Sequence, residues 1–179
     1  QCVRLNMPMK KVSFARSLQK GFTLIELLIV IALLGVLTTA VLVAIDPIEQ
    51  INRSKDAGRL NSVNQLGHAL QAYYTGQQLM PSVTSWNTDL VSTGNVKSFP
   101  VAPTGGTACT TNQVTGFCYA VINTEDAVVF TQVQSKNSKA KTGVSNCANA
   151  WAVYYTTQGK AGLACDTEAN VAAGTATLY

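Results

Sequence analysis

The residue with the most unusual setting for its chemistry is Glu26, a carboxylate within an apolar run. Between Phe22 and Ile45 the sequence has 24 residues, and Glu26 is the one charged residue among them. As an α-helix this run would be about 36 Å long, enough to cross a hydrocarbon layer of about 30 Å. A carboxylate inside a membrane is costly, so such residues usually have a function. The cost is lower near a helix start, where the dipole favours negative charge. The alternative is that Glu26 only reaches the lipid headgroups.

The segment before the apolar run is basic and predicts the topology of the chain. Its basic residues are Arg4, Lys10, Lys11, Arg16 and Lys20, and no acidic residue precedes Glu26. This asymmetry places the leading end of the helix in the cytoplasm. Without these five residues the chain has eight basic and nine acidic residues. The overall charge of +4 is therefore a topology signal, and it does not indicate nucleic-acid binding.

The motif Gly21-Phe22-Thr23-Leu24-Ile25-Glu26 resembles the processing site of type IV prepilins and pseudopilins. In that family a membrane peptidase cuts after the glycine and methylates the new amino terminus, and a glutamate stands at the fifth mature position. The resemblance assigns cleavage to Gly21 and Phe22, N-methylation to Phe22 and assembly to Glu26. It implies that Glu26 of an incoming subunit pairs with the Phe22 ammonium of its neighbour.

The resemblance also predicts location and partners. Residues 1–21 are expected to be a leader that is removed, with Met7 or Met9 as the true start, and residues 22–45 a transmembrane and assembly helix. The precursor would cross the bacterial cytoplasmic membrane once, with its C-terminus outside, and the assembled protein would lie in an extracellular pilus. The partners would be the prepilin peptidase, a pilus or secretion assembly platform, and other copies of the chain in a helical filament.

Residues 46–78 are predicted to form an amphipathic helix. Asp46 is a good N-cap, Pro47 suits the first helical position, and Glu49 follows three residues after the cap. This pattern indicates a helix restart or a kink. Apolar residues then recur at helical spacing, with one gap: Ile48, Ile51, Leu60, Val63, Leu66, Leu70 and Tyr73. The gap contains Arg53, Lys55, Asp56 and Arg59, which would either form a solvated face or bridge subunits. His68 lies off the stripe and is expected to be exposed and incidental.

Residues 79–179 are predicted to be an exported globular region. A loop with a short helix near 85–91 comes first, with Trp86 and Leu90 as its packing residues. Strands are predicted at 117–122, 128–133 and 151–156, a turn at 123–126, and a possible short strand at 163–165. Residues 135–146 are expected to be an exposed loop and 158–162 a turn, while residues 170–179 have little periodicity. The predicted fold is α+β and pilin-like, with the long helix packed on a small antiparallel sheet.

Four cysteines remain after the predicted leader, which contains Cys2: Cys109, Cys118, Cys147 and Cys165. An even number in an exported domain indicates two disulfides. Three pairings are possible, and we favour the two that join cysteines close in sequence, 109 with 118 and 147 with 165. No C-x-x-C pair and no neighbouring histidine supports a zinc site.

No sequence motif supports an enzyme or a cofactor. The chain has no phosphate loop, no G-x-S-x-G and no H-E-x-x-H, and its one histidine cannot supply both a triad and a metal site. Asp166 and Glu168 could bind calcium, as some pseudopilins do, but solvated turn carboxylates are the simpler interpretation. The predicted function is a structural subunit of a type IV pilus, and the alternative is a major pseudopilin of a type II secretion system. A DNA-binding minor pilin lacks a basic-aromatic patch, and a single-span receptor leaves Gly21, Phe22 and Glu26 unexplained.

Overall fold

The computed structural model describes residues 21–105, 109–144 and 147–179. The predicted leader through Lys20 lies outside the described residues. The chain divides into two compact units, one ending at Ile45 and the other spanning Asp46–Tyr179. Their elements in chain order are α1 (Leu24–Ile45), α2 (Pro47–Gln77), α3 (Trp86–Ser92), β1 (Cys118–Val121), β2 (Ala127–Gln132), α4 (Lys136–Lys141), β3 (Ala150–Tyr155), β4 (Lys160–Cys165) and α5 (Glu168–Ala172).

Helix α1 is apolar on all sides, and none of its residues is buried within the chain. Its two consecutive threonines satisfy their hydroxyl groups internally: Thr38 Oγ1 donates to Leu34 O at 2.7 Å, and Thr39 Oγ1 donates to Gly35 O at 2.9 Å. Because these polar groups are paired, they can enter an apolar environment at low cost. The helix that starts at Leu24 is the one helix in the described part of the chain that is long and apolar enough to cross a membrane.

Helix α2 begins at a defined cap and packs on the sheet. Asp46 adopts a left-handed conformation (φ 44°), and its carboxylate accepts from the N–H of Glu49, with Pro47 in the first helical turn. The C-terminal part of the predicted stripe is in the core, where Val63, Leu66 and Leu70 are fully buried. This confirms the predicted packing of the helix on the sheet. The long helix, the small sheet and the α+β class are also confirmed.

The first two residues of the predicted stripe are exceptions. Ile48 and Ile51 are 70 % and 55 % exposed, so the prediction that they face the core is wrong. At this end of α2 the face toward the rest of the unit carries Glu49, Asp56 and Arg59, which are buried. For Asp56 and Arg59 this burial contradicts the expectation of a solvated face, whereas Arg53 of the same polar gap is exposed.

The four strands form an antiparallel sheet in the order β1-β2-β3-β4. Side chains alternate between its two faces. On one face Val129, Tyr119 and Tyr154 share a core cluster with Leu66 and Leu70 of α2. On the other face the core cluster includes Val128, Phe130, Val153 and Tyr155 from the sheet and Val171 of α5. The predicted short helix is present as α3, with Trp86 and Leu90 fully buried.

Two predictions about the C-terminal half were wrong in detail. Residues 136–141 form α4 rather than a loop, because the Ser135 hydroxyl caps the helix by accepting from Ser138 N–H at 3.0 Å. The predicted turn at 158–162 lies at 156–159 instead, and β4 already begins at Lys160. Within the last ten residues, whose sequence has little periodicity, Leu178 forms a bridge with Ala164 beside β4. Residues 145–146 of the expected loop lie outside the described part.

Candidate processing and assembly site

The predicted cleavage point precedes α1 and is accessible. Gly21 and Phe22 are outside the helix, and Phe22 is 85 % exposed. A Cβ added to Gly21 would meet no heavy atom within 4 Å. A peptidase needs an irregular, reachable backbone, and the Gly21–Phe22 bond provides one. The absence of a side chain at Gly21 therefore has no packing explanation among the described residues.

Glu26 and Thr23 form a reciprocal pair at the start of α1. The carboxylate oxygen Glu26 Oε2 accepts from Thr23 N–H at 3.1 Å and from Thr23 Oγ1 at 3.0 Å. In return Thr23 Oγ1 accepts from Glu26 N–H at 3.3 Å. This arrangement is a capping box, in which residues three apart satisfy the free donors of a helix start. The T-x-x-E spacing of Thr23 and Glu26 already indicates this cap in the sequence, which the charge of Glu26 alone does not.

In the second unit, two acidic side chains near the start of α2 accept hydrogen bonds from backbone N–H groups around α4. Glu49 accepts from the N–H groups of Lys136 and Asn137, both at 3.0 Å. Asp56 accepts from Gln134 N–H at 3.0 Å and from Ser135 N–H at 2.8 Å. The two acids are seven positions apart, which is about two helical turns, so they lie on one face of α2. We call Glu49 and Asp56 the carboxylate clamp.

The environment of the carboxylate clamp stabilises its ionised form. The hydrogen bonds from Asn137 and Lys136 lower the pKa of Glu49 below its ordinary value. Burial opposes ionisation of Asp56, but the N–H groups of Gln134 and Ser135 outweigh it and lower its pKa. A helix N-terminus also favours negative charge. The clamp therefore fixes α4 against the first turns of α2. The spacing of the two acids is visible in the sequence, but their partners some eighty positions away are not.

Arg59 extends the carboxylate clamp to the loop after α3. Its Nη1 lies 2.8 Å from Asp56 Oδ1, and its Nη2 donates to Pro103 O at 2.7 Å and to Gly105 O. The side chains of Arg59 and Asp56 are only 1 % and 3 % exposed. Breaking such a buried pair is costly, because the remaining charge has no compensation. Through these contacts the pair joins α2, the loop at Pro103 and Gly105, and the segment before α4.

Glu168 makes a comparable contact on the opposite side of the sheet. Its Oε1 accepts from the N–H groups of Thr110 and Thr111, both at 2.7 Å, and from both threonine hydroxyls. Although burial opposes ionisation, these hydrogen bonds lower the pKa of Glu168. Asp166 accepts instead from Thr167 N–H and Asn170 Nδ2. Both carboxylates therefore stabilise local structure, and both side chains stay half-exposed.

The structure joins Cys109 to Cys118 and Cys147 to Cys165. This is the pairing favoured by sequence proximity. The first bridge ties the end of the long loop to β1, and the second ties the segment before β3 to the end of β4. His68 is exposed, as expected, and its ring contacts Tyr154 edge-on with centroids 5.4 Å apart.

The comparisons with known proteins place the motif in a recognised class. A family model described as the prokaryotic N-terminal methylation motif matches residues 16–42. The chain thus carries the prepilin-type cleavage and methylation motif of type IV pilins. The motif supports a type IV pilin-type or pseudopilin-type protein, a structural class rather than an enzymatic one. The comparisons with curated proteins and with solved structures gave no match.

Proposed function

We propose that this chain is the structural subunit of a type IV pilus. The observation that carries the proposal is the methylation motif at residues 16–42, which leads directly into the apolar helix α1. The proposed boundaries are a leader at 1–21, a transmembrane and assembly helix at 22–45, an amphipathic helix at 46–78 and an exported globular region at 79–179. The precursor inserts with the globular region outside, and the processed subunit enters an extracellular filament.

The roles of three residues follow from the chemistry of processing. Cleavage after Gly21 creates an ammonium at Phe22, which is then methylated. Two opposite charges attract strongly in a low-dielectric layer, so Glu26 of an incoming subunit pairs with the Phe22 ammonium of its neighbour. The contact to Thr23 holds the carboxylate at the first turn of α1, where it is available to an incoming charge.

Intact mass spectrometry of sheared surface filaments tests the processing step. The subunit mass should correspond to a chain that begins at a methylated Phe22. Gly21→Val should leave an uncut precursor in the membrane, because only a small residue suits the cleavage position. Gly35→Val changes a glycine inside α1 that also has no neighbour within 4 Å of an added Cβ, and this control should still be cleaved. Assembled protein that retains its leader would refute the proposed processing.

A major pseudopilin of a type II secretion system is the rival, because it shares the motif and the helix. The two disulfides favour a pilin, since many pilins staple their C-terminal region in this way. Deletion of the gene separates the two functions. Loss of surface filaments with normal protein secretion supports the pilus. Accumulation of exported proteins in the periplasm, with unchanged surface filaments, supports the secretion system.

A further inference from the structure

The surface around α4 carries concentrated positive charge. Lys136 and Lys141 are exposed and Lys139 is half-buried. Arg53 of α2 lies beside them and is also exposed. We call these four residues the α4 basic surface. Residues 46–59 and 136–141 together contain six basic and three acidic residues, whereas the remainder of the second unit contains two basic and five acidic residues.

Most of the acidic residues near this surface form hydrogen bonds or ion pairs within the second unit. Both oxygens of Glu49 accept backbone N–H groups of α4, and Glu49 Oε1 is also 3.1 Å from Arg53 Nε. Asp56 is buried and paired with Arg59. Asp46 remains half-exposed, 3.5 Å from Lys136 Nζ. The lysine charges of α4 therefore face solvent with little compensation.

The α4 basic surface is close to the point where the chain leaves the apolar helix. Asp46 follows Ile45, the last residue of α1, and its carboxylate contacts Lys136. Glu49, one turn further on, binds the first N–H groups of α4. The first residue of the second unit, which follows α1 directly in the chain, thus contacts a lysine of this surface.

We propose that the α4 basic surface binds the headgroups of anionic phospholipids in the membrane that α1 spans. Lysines close to an anionic bilayer surface are attracted electrostatically, and each contributes about a fivefold gain in binding. The position next to the membrane exit favours lipid over the acidic surface of a second copy as the occupant. The inference rests on insertion of α1 and not on polymerisation, so it holds even if the chain forms no pilus.

Lysine labelling in lipid nanodiscs tests the proposal on the full chain. An amine-reactive reagent is applied to protein in discs of phosphatidylcholine, with or without phosphatidylglycerol, and each lysine is followed by mass spectrometry. Phosphatidylglycerol should slow labelling of Lys136 and Lys141 about fivefold each, and salt should reverse the effect by screening. Lys97 and Lys160 are equally exposed internal controls, and their rates should not change.

Two variants provide a second readout, hydrogen exchange of the α4 amides. The wild type should exchange more slowly in discs with phosphatidylglycerol, and Lys136→Gln combined with Lys141→Gln should lose this difference. Lys97→Gln combined with Lys160→Gln removes the same charge elsewhere and should keep it, while protection of β2 verifies folding in both. Equal labelling in the two lipids would overturn the proposal. A slowing that occurs only when two copies share a disc would also overturn it, and would assign the surface to a second copy.

Discussion

Glu26 accepts hydrogen bonds from both the N–H and the hydroxyl of Thr23, at 3.1 and 3.0 Å. One carboxylate thus stabilises the start of α1 and is also the group to which we assign the proposed assembly role. The two roles make different demands on the side chain. A capping box works with either glutamate or glutamine, whereas pairing with an ammonium needs the negative charge.

We predict that Glu26→Gln and Glu26→Ala both leave membrane insertion and Gly21 cleavage largely intact but abolish or sharply reduce filament assembly. Removing one member of a poorly solvated charge pair typically costs about 3–5 kcal/mol, and the loss is repeated at every subunit. The measurement compares cleaved protein in membranes with sheared filaments, in a strain that lacks the wild-type copy.

Thr23→Ala is the matched control for this prediction. It removes the hydroxyl side of the capping box, at a cost of about 1 kcal/mol, and retains the charge of Glu26. Filaments should therefore persist in this variant. If Glu26→Gln assembles normally while Thr23→Ala does not, Glu26 acts as a helix cap and not as the charged assembly contact.

We predict that each disulfide contributes about 3 kcal/mol to the free energy of unfolding. The bridges span sequence separations of 9 and 18 residues, and the chain-entropy model gives about 2–4 kcal/mol for loops of this size. Denaturant unfolding of the double variant Cys147→Ser with Cys165→Ser should show this loss. The pairing itself is checked by non-reducing peptide mapping, where a fragment linking Cys109 to Cys165 would contradict it.

The carboxylate clamp predicts loss of stability in acid. Glu49 and Asp56 both have a pKa below the ordinary value in the folded chain. A carboxylate whose pKa is lowered by folding stabilises the folded state at a pH above its unfolded pKa of about 4. This contribution to the free energy of unfolding is lost as the pH falls through the folded pKa. The protection of Ser135, Lys136 and Asn137 against hydrogen exchange, relative to the intrinsic rate at each pH, should therefore fall below about pH 4 before that of β2.

Glu49→Gln should remove part of this acid sensitivity, because glutamine does not ionise. Glu125→Gln is the control. Glu125 is exposed, and its carboxylate accepts no hydrogen bond from the described residues. The pH profile of this control should match the wild type. A profile that is equally steep in Glu49→Gln would show that the clamp is not the acid-sensitive contact.

We predict that Gly67→Ala lowers the free energy of unfolding, although alanine has the higher helix propensity. A Cβ at this position would lie 2.2 Å from the ring of Tyr154, so Gly67→Ala forces the tyrosine or α2 to move. Overpacking of this kind costs about 1–3 kcal/mol, more than the gain of about 1 kcal/mol from alanine in a helix. Gly58→Ala meets only Pro103 Cγ, at 3.7 Å, and should raise the unfolding free energy. Equal effects of the two changes would refute this account.

The sequence by itself determined the features that depend on local pattern. The run from Phe22 to Ile45 predicts α1 because 24 consecutive residues contain one charge, and Asp46-Pro47 predicts the start of α2 because caps act over three residues. The apolar runs of β2 and β3, rich in β-branched and aromatic residues, likewise predicted their strands. The proximity of the cysteines favoured the observed pairing, although it left three possibilities open.

Only the tertiary structure decided which polar residues are buried. Asp56 and Arg59 read as surface charges in a polar stretch, but a segment more than seventy positions later supplies the N–H groups that make burial of Asp56 possible. Residues 136–141 form a helix that their own composition did not predict, and its first N–H groups bind Glu49, nearly ninety positions earlier in the chain. Ile48 and Ile51 fit the helical stripe, yet they are exposed because Glu49 and Asp56 occupy the inward face at that end of α2. Periodicity reports which face of a helix is apolar, whereas burial depends on the segments that pack against it.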